Sequence, residues 1–192
     1  MAIEFWFDFA SNYSYLSVMR IRRLAPDGVV WRPFLLGPIF KEAGSDNSPF
    51  VLQKNKGDYV WQDMPRQCAK YGLPWRQPSA FPRNSLLAAR VGLLCEDQPW
   101  MLDFCERVML ANFAEDRDIG SADCMTEILS ALGQDAGAIL RAATSDANKA
   151  RLRARTEEAK ARRIFGAPTF LLGDAMYWGN DRLDDALAAS SA

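Results

Sequence analysis

Apolar residues occupy every second position from Ile3 to Phe9 at the start of the chain. A period of two is typical of a β-strand with one consistently apolar face. From Tyr13 to Leu24 the apolar residues instead follow helical spacing, and Ser11 or Asn12 stands where a helix N-cap belongs. The first unit is therefore predicted to be a strand, a sharp turn and a helix.

A second strand is predicted soon afterwards. Residues 26–28 read as a turn, and residues 29–35 are rich in β-forming side chains, with a Pro33 that favours an edge strand or a strand end. Two such strands joined through a helix are almost always parallel, with a right-handed crossover. The chain is thus expected to open with a βαβ unit.

The middle of the chain has two parts with different predicted structures. Residues 37–82 contain several prolines and aromatics and a loop-like polar stretch, and we predict an irregular segment, which at this length is often functional. Apolar residues at helical spacing then predict a block of helices from about residue 84 to residue 144.

The last part of the chain again mixes helix and strand. The pattern predicts a helix over residues 146–164 that is terminated by Gly166, a β-hairpin over residues 169–172 and 175–178, and a final helix over residues 181–189. With the helical block removed, the element order is that of the thioredoxin fold.

We therefore predict an α/β protein with a thioredoxin-like fold and an all-helical insertion. Residues 1–192 would form one domain. Its thioredoxin core would comprise about residues 1–40 and 146–192, and the insertion about residues 41–145.

Composition removes several classes of mechanism. The 192 residues include 23 Lys and Arg, 24 Asp and Glu and no His, which excludes Ser-His-Asp triads, Cys-His nucleophiles and His-bearing metal sites.

A formal net charge of −1 gives no electrostatic reason to bind nucleic acids or anionic membranes. No apolar run reaches the roughly 18 residues that span a bilayer, and the N-terminus lacks a secretory signal, so we expect a cytoplasmic protein.

The cysteines are widely spaced along the chain and form no CxxC pair: Cys68, Cys95, Cys105 and Cys124. A tetrahedral zinc site of cysteines normally needs at least one close pair. We therefore expect no bound metal and four thiols that are buried as core material.

The N-terminus of the first predicted helix carries the candidate chemistry. In thioredoxin-like folds this position holds a cysteine, because unpaired backbone N–H groups and the helix dipole stabilise its thiolate. Ser11 and Ser14 stand where a redox protein has the two cysteines of CxxC. Disulfide exchange by this chain alone is therefore excluded.

A family resemblance rests first on residues 7–16, which read FDFASNYSYL. They resemble the FDFxSPYSYL signature of 2-hydroxychromene-2-carboxylate isomerases and their relatives, the kappa-class glutathione transferases, within the DsbA-like superfamily. Asn12 takes the place of the usual proline. Further matches lie across nearly the whole chain, at residues 32–37, 56–59, 82–84, 166–170 and 179–182. The resemblance implies a glutathione-dependent enzyme and a homodimer.

The resemblance assigns the central role to Ser11, whose hydroxyl would donate a hydrogen bond to the sulfur of bound glutathione. Without the resemblance, Ser11 is interpreted as a helix N-cap only. Pro168 matches the family's cis-proline. Ala167, which precedes it, would then offer its backbone N–H and C=O to the cysteinyl part of glutathione.

The other implied glutathione contacts lie far apart in the sequence. Asn180 and Asp181, at the start of the last helix, would hold the γ-glutamyl end. Asn47 and Lys56 match family positions in the long loop, where a lysine would meet the glycyl carboxylate. Helix capping by Asn180-Asp181 and a merely solvated Lys56 are the alternatives.

The resemblance also implies a pocket for an acidic aromatic substrate between the core and the helical block. Its candidate lining, with Arg83 as the partner of the substrate carboxylate, is Phe34, Leu36, Phe81, Arg83 and Asn84. The alternative for these residues is an ordinary core or surface position.

Three functions remain open. The first is a glutathione-dependent isomerase that interconverts 2-hydroxychromene-2-carboxylate and trans-o-hydroxybenzylidenepyruvate, as the resemblance to enzymes of aromatic catabolism implies. The second is a kappa-like glutathione transferase or peroxidase. The third is a thioredoxin-like protein that binds glutathione or peptides without catalysis.

Overall fold

The computed structural model describes residues 2–25 and 28–191. A four-stranded mixed sheet lies at its centre, in the order β2-β1-β3-β4. The strands are β1 (Ile3–Phe7), β2 (Val29–Pro33), β3 (Thr169–Leu172) and β4 (Ala175–Trp178). β1 is parallel to β2 and antiparallel to β3, and β3 and β4 form the predicted hairpin. The thioredoxin-like strand arrangement is thereby confirmed.

Helices surround this sheet. They are α1 (Asn12–Leu24), α2 (Leu36–Glu42), α3 (Pro49–Leu52), α4 (Lys54–Tyr71), α5 (Leu86–Cys95), α6 (Met101–Phe113), α7 (Ala122–Ala131), α8 (Ala136–Ala143), α9 (Asp146–Ala161) and α10 (Leu183–Ser190), with a 3₁₀ turn over Asn180–Arg182. The predicted block of helices corresponds to α5 to α8. Of the turn predicted at residues 26–28, Pro26 and Asp27 lie outside the described residues.

Both faces of β1 are buried. Phe5 and Phe7 pack into the main core on one face, as their spacing predicts. On the other face Trp6 is fully buried with Phe34 and Ile164 in a second, smaller cluster. A central strand covered on both faces carries large apolar side chains in both directions. Pro33 is the last residue of β2, which is an edge strand, so both predictions for this proline hold.

The prediction of an irregular segment over residues 37–82 was wrong, because α2, α3 and α4 lie within it. The longest, α4, contains Pro65, a residue that normally interrupts a helix. Val60, Met64 and Cys68 recur at intervals of four and are buried against the core, so tertiary packing stabilises the helix despite the proline.

The end of α9 also differs from the prediction. Gly166 does not terminate this helix, which ends at Ala161, and the chain turns at Arg163 with a φ of 59°. Gly166 has a different role. A Cβ at this position would overlap the indole of Trp178, so the absence of a side chain allows these two segments to approach closely.

The four cysteines are buried and unpaired, as predicted. Burial raises the pKa of the Cys68 thiol to about 12, and it raises the pKa of the other three thiols as well. A thiol with a raised pKa is a poor nucleophile near neutral pH. In residues 2–25 and 28–191, no helix is long and apolar enough to cross a membrane.

Candidate active site

A cleft of about 1140 Å³ separates the end of the sheet from the helical insertion. One side, here called the thioredoxin wall, consists of residues 10–13, 165–168 and 178–182. The opposite side, the insertion wall, consists of residues 46–50 and 81–86 together with Lys56, Tyr59, Asp63 and Gln67 of α4. The floor is formed by Asp8, residues 35–38 and Phe40.

Ser11 lies at the N-terminus of α1 on the thioredoxin wall. It is the N-cap of this helix, and its Oγ accepts a hydrogen bond from Ser14 N at 3.2 Å. The same hydroxyl donates to Ala167 O at 3.0 Å, across the cleft end of the sheet. The Ser11 side chain therefore caps α1 and also contacts the C-terminal half of the fold. Ser11 is 7% exposed.

Asp8 lies beneath Ser11, and its role was missed by sequence reasoning. One carboxylate oxygen accepts from Ala10 N at 2.9 Å and Ser85 Oγ at 2.6 Å, and the other accepts from Leu36 N at 2.8 Å. The carboxyl thus joins three segments of the cleft. Burial raises the pKa of Asp8, and these three hydrogen bonds oppose that rise. An acidic residue near the end of the predicted strand, beside the candidate site, was the available signal.

The Ala167-Pro168 peptide bond is cis, as the resemblance implied. Its surroundings hold it in place on both sides. Thr169 Oγ1 donates to Gly166 O at 2.8 Å, and Gly179 N donates to Pro168 O at 2.9 Å. Together with the hydrogen bond from Ser11 Oγ to Ala167 O, the Gly179 contact places this loop between the start of α1 and the end of the hairpin.

The corner at Asn180-Asp181 completes the thioredoxin wall. Asn180 is 4% exposed, and its Oδ1 accepts from Ser17 Oγ and Arg20 Nη1, both at 3.2 Å. The Asn180 amide oxygen is thus bonded to α1, and Asn180 itself lines the cleft. Asp181 is exposed and lines the cleft, and Arg182 Nη2 donates to its carboxylate at 3.2 Å.

On the insertion wall, Asn47 and Lys56 both line the cleft. Asn47 Oδ1 accepts from Ser48 N at 2.7 Å, which fixes the chain just before α3. Lys56 lies in the first turn of α4 with its side chain exposed. Gly57 follows it, and a Cβ there would overlap the carbonyl of Phe50, so glycine permits α3 and α4 to pack together.

Three of the five predicted substrate-pocket residues line the cleft with accessible side chains: Leu36, Phe81 and Asn84. Asn84 Oδ1 also accepts from Leu86 N, the first residue of α5, at 2.9 Å. Phe34 does not line the cleft. It is fully buried and packs against Trp6 with ring centroids 6.0 Å apart, because the chain directs it to the far face of the sheet.

Arg83, predicted as the partner of a substrate carboxylate, lines the cleft, and its guanidinium is already paired within the protein. Its side chain is only 6% exposed and forms an ion pair with Asp116. Its Nη1 donates to Asn112 O and Oδ1, each at 3.2 Å, and its Nη2 also donates to Ser79 Oγ at 3.2 Å. Both Nη atoms of the guanidinium are therefore bonded to residues of the insertion itself.

Tyr13, Phe50 and Asp63 line the cleft and were not anticipated from the sequence. Tyr13 Oη donates to Asp63 Oδ2 at 2.8 Å, which joins α1 to α4 across the end of the cleft. Burial raises the pKa of Tyr13, and Asp63 raises it further, so the phenol stays a hydrogen-bond donor at neutral pH. Phe50 lies between Tyr13 and Phe81, with centroid distances of 6.1 and 6.5 Å.

No metal site accompanies this cleft. Within the part of the chain that the structure describes, no group of three or more His, Cys, Asp or Glu side chains could hold a metal ion. The cleft instead offers a hydroxyl, backbone groups and charged side chains.

Comparison with known proteins places this geometry in a family. A model of the DSBA-like thioredoxin domain matches residues 2–189. The 2-hydroxychromene-2-carboxylate isomerase of Pseudomonas putida is 30% identical over 188 residues, which cover 95% of this chain and 91% of that protein. The chain belongs to the 2-hydroxychromene-2-carboxylate isomerase family.

Two further comparisons agree with this membership. A solved structure of a 2-hydroxychromene-2-carboxylate isomerase has a TM-score of 0.87 and 30% identity, covering 100% of this chain and 95% of that chain. Glutathione S-transferase kappa 1 of Rattus norvegicus is 25% identical over 199 residues, covering 95% of this chain and 87% of that protein. The isomerase-family resemblance and the thioredoxin-like fold are both confirmed.

Proposed function

We propose that the protein is a glutathione-dependent isomerase that interconverts 2-hydroxychromene-2-carboxylate and trans-o-hydroxybenzylidenepyruvate. The observation that carries this proposal is Ser11 at the N-terminus of α1, facing a cleft that contains no cysteine among its lining residues. A thiol bound from solution would supply the nucleophile that the chain lacks.

Ser11 would stabilise the glutathione thiolate. Its hydroxyl turns from Ala167 O toward the sulfur, while its Oγ continues to accept from Ser14 N. A hydrogen bond to a charged group contributes about 1.5–3 kcal/mol, and a helix N-terminus contributes up to about 2 kcal/mol. Because one pKa unit corresponds to about 1.36 kcal/mol, a thiol pKa of about 8.5 would fall to roughly 6–7 without a histidine.

The rest of glutathione would extend along both walls. Ala167 would pair its backbone with the cysteinyl residue, as an added strand does at a sheet edge. The corner with Asp181 would hold the γ-glutamyl α-ammonium, and Lys56 on the insertion wall would meet the glycyl carboxylate. Asp181 and Lys56 would thus meet the opposite charges at the two ends of the tripeptide.

The remaining space suits an aromatic second molecule. Small-molecule sites typically occupy roughly 300–1,000 Å³. The volume of about 1140 Å³ supports binding of glutathione together with a bicyclic substrate. Leu36 at the floor and Phe50 and Phe81 on the insertion wall supply apolar contact.

The chemistry is a reversible addition. The thiolate forms a carbon–sulfur bond to the alkene carbon next to the aromatic ring, the π electrons move toward the hemiketal carbon, and the bond from that carbon to the ring oxygen breaks, which leaves a phenolate and an enol. Rotation takes place about the carbon–carbon bond that has become single. The enol then becomes the ketone, expels the thiolate and restores the double bond in the trans geometry, and its proton passes to the phenolate oxygen. Glutathione is recovered unchanged, so neither oxidant nor reductant is consumed.

An absorbance assay on 2-hydroxychromene-2-carboxylate tests this proposal, with purified protein, with and without glutathione. We expect rapid conversion only when glutathione is present. S-methylglutathione is the matched control, because it keeps the tripeptide and lacks the free thiol, and it should not support turnover. Equal conversion in all three conditions would contradict the proposal.

A kappa-like glutathione transferase is the second candidate, favoured by the similarity to the rat kappa enzyme. The two functions differ in the fate of glutathione. Chromatography of the completed reaction separates them. A stable conjugate or oxidised glutathione supports transferase or peroxidase activity, whereas recovery of free glutathione supports the isomerase.

A further inference from the structure

We infer that Arg20 is a positioning residue for the γ-glutamyl end of glutathione, acting through the corner at Asn180-Asp181. The inference rests on the function proposed above. Arg20 lies in α1, nine positions after Ser11, and is 7% exposed. A buried guanidinium requires a complete set of partners, and those partners show what it holds in place.

The partners of Arg20 converge on the corner. Its Nη1 donates to Asn180 O at 2.7 Å and to Asn180 Oδ1 at 3.2 Å. Its Nη2 donates to both carboxylate oxygens of Asp184, each at 2.7 Å. The guanidinium lies 4.5 Å from the centre of the Tyr71 ring. One planar cation therefore joins the 3₁₀ turn, the start of α10 and the end of α4.

Ser17 reinforces the same attachment one turn earlier. Its Oγ donates to Asn180 Oδ1 at 3.2 Å, so α1 holds the corner at two points on one helical face. Asn180 is the residue directly before Asp181, the carboxylate that we place on the γ-glutamyl ammonium. The backbone position of Asp181 therefore depends on this network.

A single helix, α1, thereby connects the sulfur site and the γ-glutamyl site. Ser11, at the sulfur, and Arg20, behind the corner, are nine residues apart, which corresponds to about 13 Å of helix rise. Because α1 is rigid over this length, the separation between sulfur site and γ-glutamyl site is set before glutathione binds. Arg20 would thus contribute to affinity for glutathione and not to ionisation of its sulfur.

A double-mutant cycle tests this coupling in the full chain. Calorimetric titration with glutathione is carried out on the wild type, Arg20→Lys, Asp181→Asn and the double variant. A lysine ammonium cannot reach Asn180 and both oxygens of Asp184 together. We expect a roughly tenfold loss of affinity in Arg20→Lys and in Asp181→Asn, and little further loss in the double variant, because both changes remove one interaction.

Two further measurements separate positioning from general stability. The ultraviolet band of the bound thiolate, followed against pH, should give the same thiol pKa in Arg20→Lys as in the wild type. The matched control is Arg22→Lys, the same change on an exposed residue of α1 that pairs with Asp103 and Glu106, and it should bind glutathione like the wild type.

Additive losses in the cycle, unchanged affinity in Arg20→Lys, or a shifted thiol pKa would overturn the inference alone. Failure of the wild type to bind glutathione would overturn the proposed function together with it. If Arg20→Lys does not fold, Ser17→Ala replaces it in the same cycle, because it removes the second attachment of α1 to Asn180 and leaves Arg20 paired with Asp184.

Discussion

The two walls of the cleft hold their polar groups in different ways. On the thioredoxin wall, Ser11 and Asn180 are 7% and 4% exposed and make hydrogen bonds to residues more than 150 positions away. On the insertion wall, Asn47 and Lys56 are exposed, and the Asn47 side chain bonds the residue beside it. At these positions one wall fixes its polar groups in a buried network, and the other presents solvated side chains.

This difference indicates a division of tasks. A group that stabilises charge in a reaction is most effective when its position is fixed in advance and water is excluded. The buried network around Ser11 meets that condition. A long, solvated lysine contributes less to affinity, because its charge is screened and its side chain must be ordered on binding. We therefore expect chemistry to depend on the thioredoxin wall and binding to be tuned by the insertion wall.

Two acids, one near each wall, have pKa values that are shifted in opposite directions. Asp8, under Ser11, is buried without a cation among its hydrogen-bond partners, and burial raises its pKa. Asp116, behind the insertion wall, receives hydrogen bonds from Ser79 and from the Arg83 guanidinium, which hold its pKa below the ordinary 3.8. Desolvation dominates one site, and hydrogen bonds dominate the other.

The largest effect is expected from Ser11→Ala. Losing a hydrogen bond to the thiolate should lower glutathione-dependent turnover by about 10- to 100-fold and move the pH dependence upward by about one to two units. Steady-state rates against pH measure both quantities. Ser145→Ala is the matched control, because Ser145 caps α9 in the same way, away from the cleft.

The control should lose stability, as removing an N-cap costs about 0.5–2 kcal/mol, and keep full turnover. Equal activity of Ser11→Ala and wild type would show that Ser11 is a cap alone. An equal loss in Ser145→Ala would attribute the effect to helix capping in general.

A smaller effect is expected on the insertion wall from Lys56→Ala. Loss of one solvated ion pair should raise KM for glutathione about two- to fivefold, with little change in kcat, and added salt should reduce the difference. Lys54→Ala is the control on the same helix. Lys54 forms an ion pair with Asp58 and does not line the cleft. Identical KM values for both variants would remove Lys56 from the binding site.

The smallest effect on turnover is expected from Asp116→Asn, which should lower the free energy of unfolding more at neutral pH than in acid. Asp116 has a lowered pKa in the folded state, so its contribution to stability is complete above 3.8 and is lost as the pH falls below that value. Asp8 has a raised pKa in the folded state, so its contribution is complete below 3.8 and is lost as the pH rises through the raised value.

Urea unfolding from acid to neutral pH measures both contributions. Asp116→Asn should remove part of the acid destabilisation, and Asp8→Asn should remove part of the loss that accompanies rising pH. Parallel stability curves for wild type and both variants would contradict the opposite signs of the two shifts.

Local patterns predicted much of the fold and the centre of the site. The period of two in β1, the hairpin and the serine at the start of α1 are local signals that the structure retains. The long helix α4 was missed because Pro65 argues against a helix locally, whereas burial of Val60, Met64 and Cys68 stabilises it. Phe34 was misplaced because it follows the last residue of β2, where strand alternation no longer determines its direction.

The sequence by itself determined which chemistry is excluded and where the proposed chemistry is placed. The absence of histidine is a property of the composition, and the absence of CxxC is a property of the cysteine spacing. The position of Ser11 at a helix start follows from the pattern of the residues around it. Only the tertiary structure decided which side chains remain accessible. Arg83 was paired with Asp116, 33 positions away, and Asn180 with Arg20, 160 positions away, because buried charges and amides must find partners wherever the fold brings them.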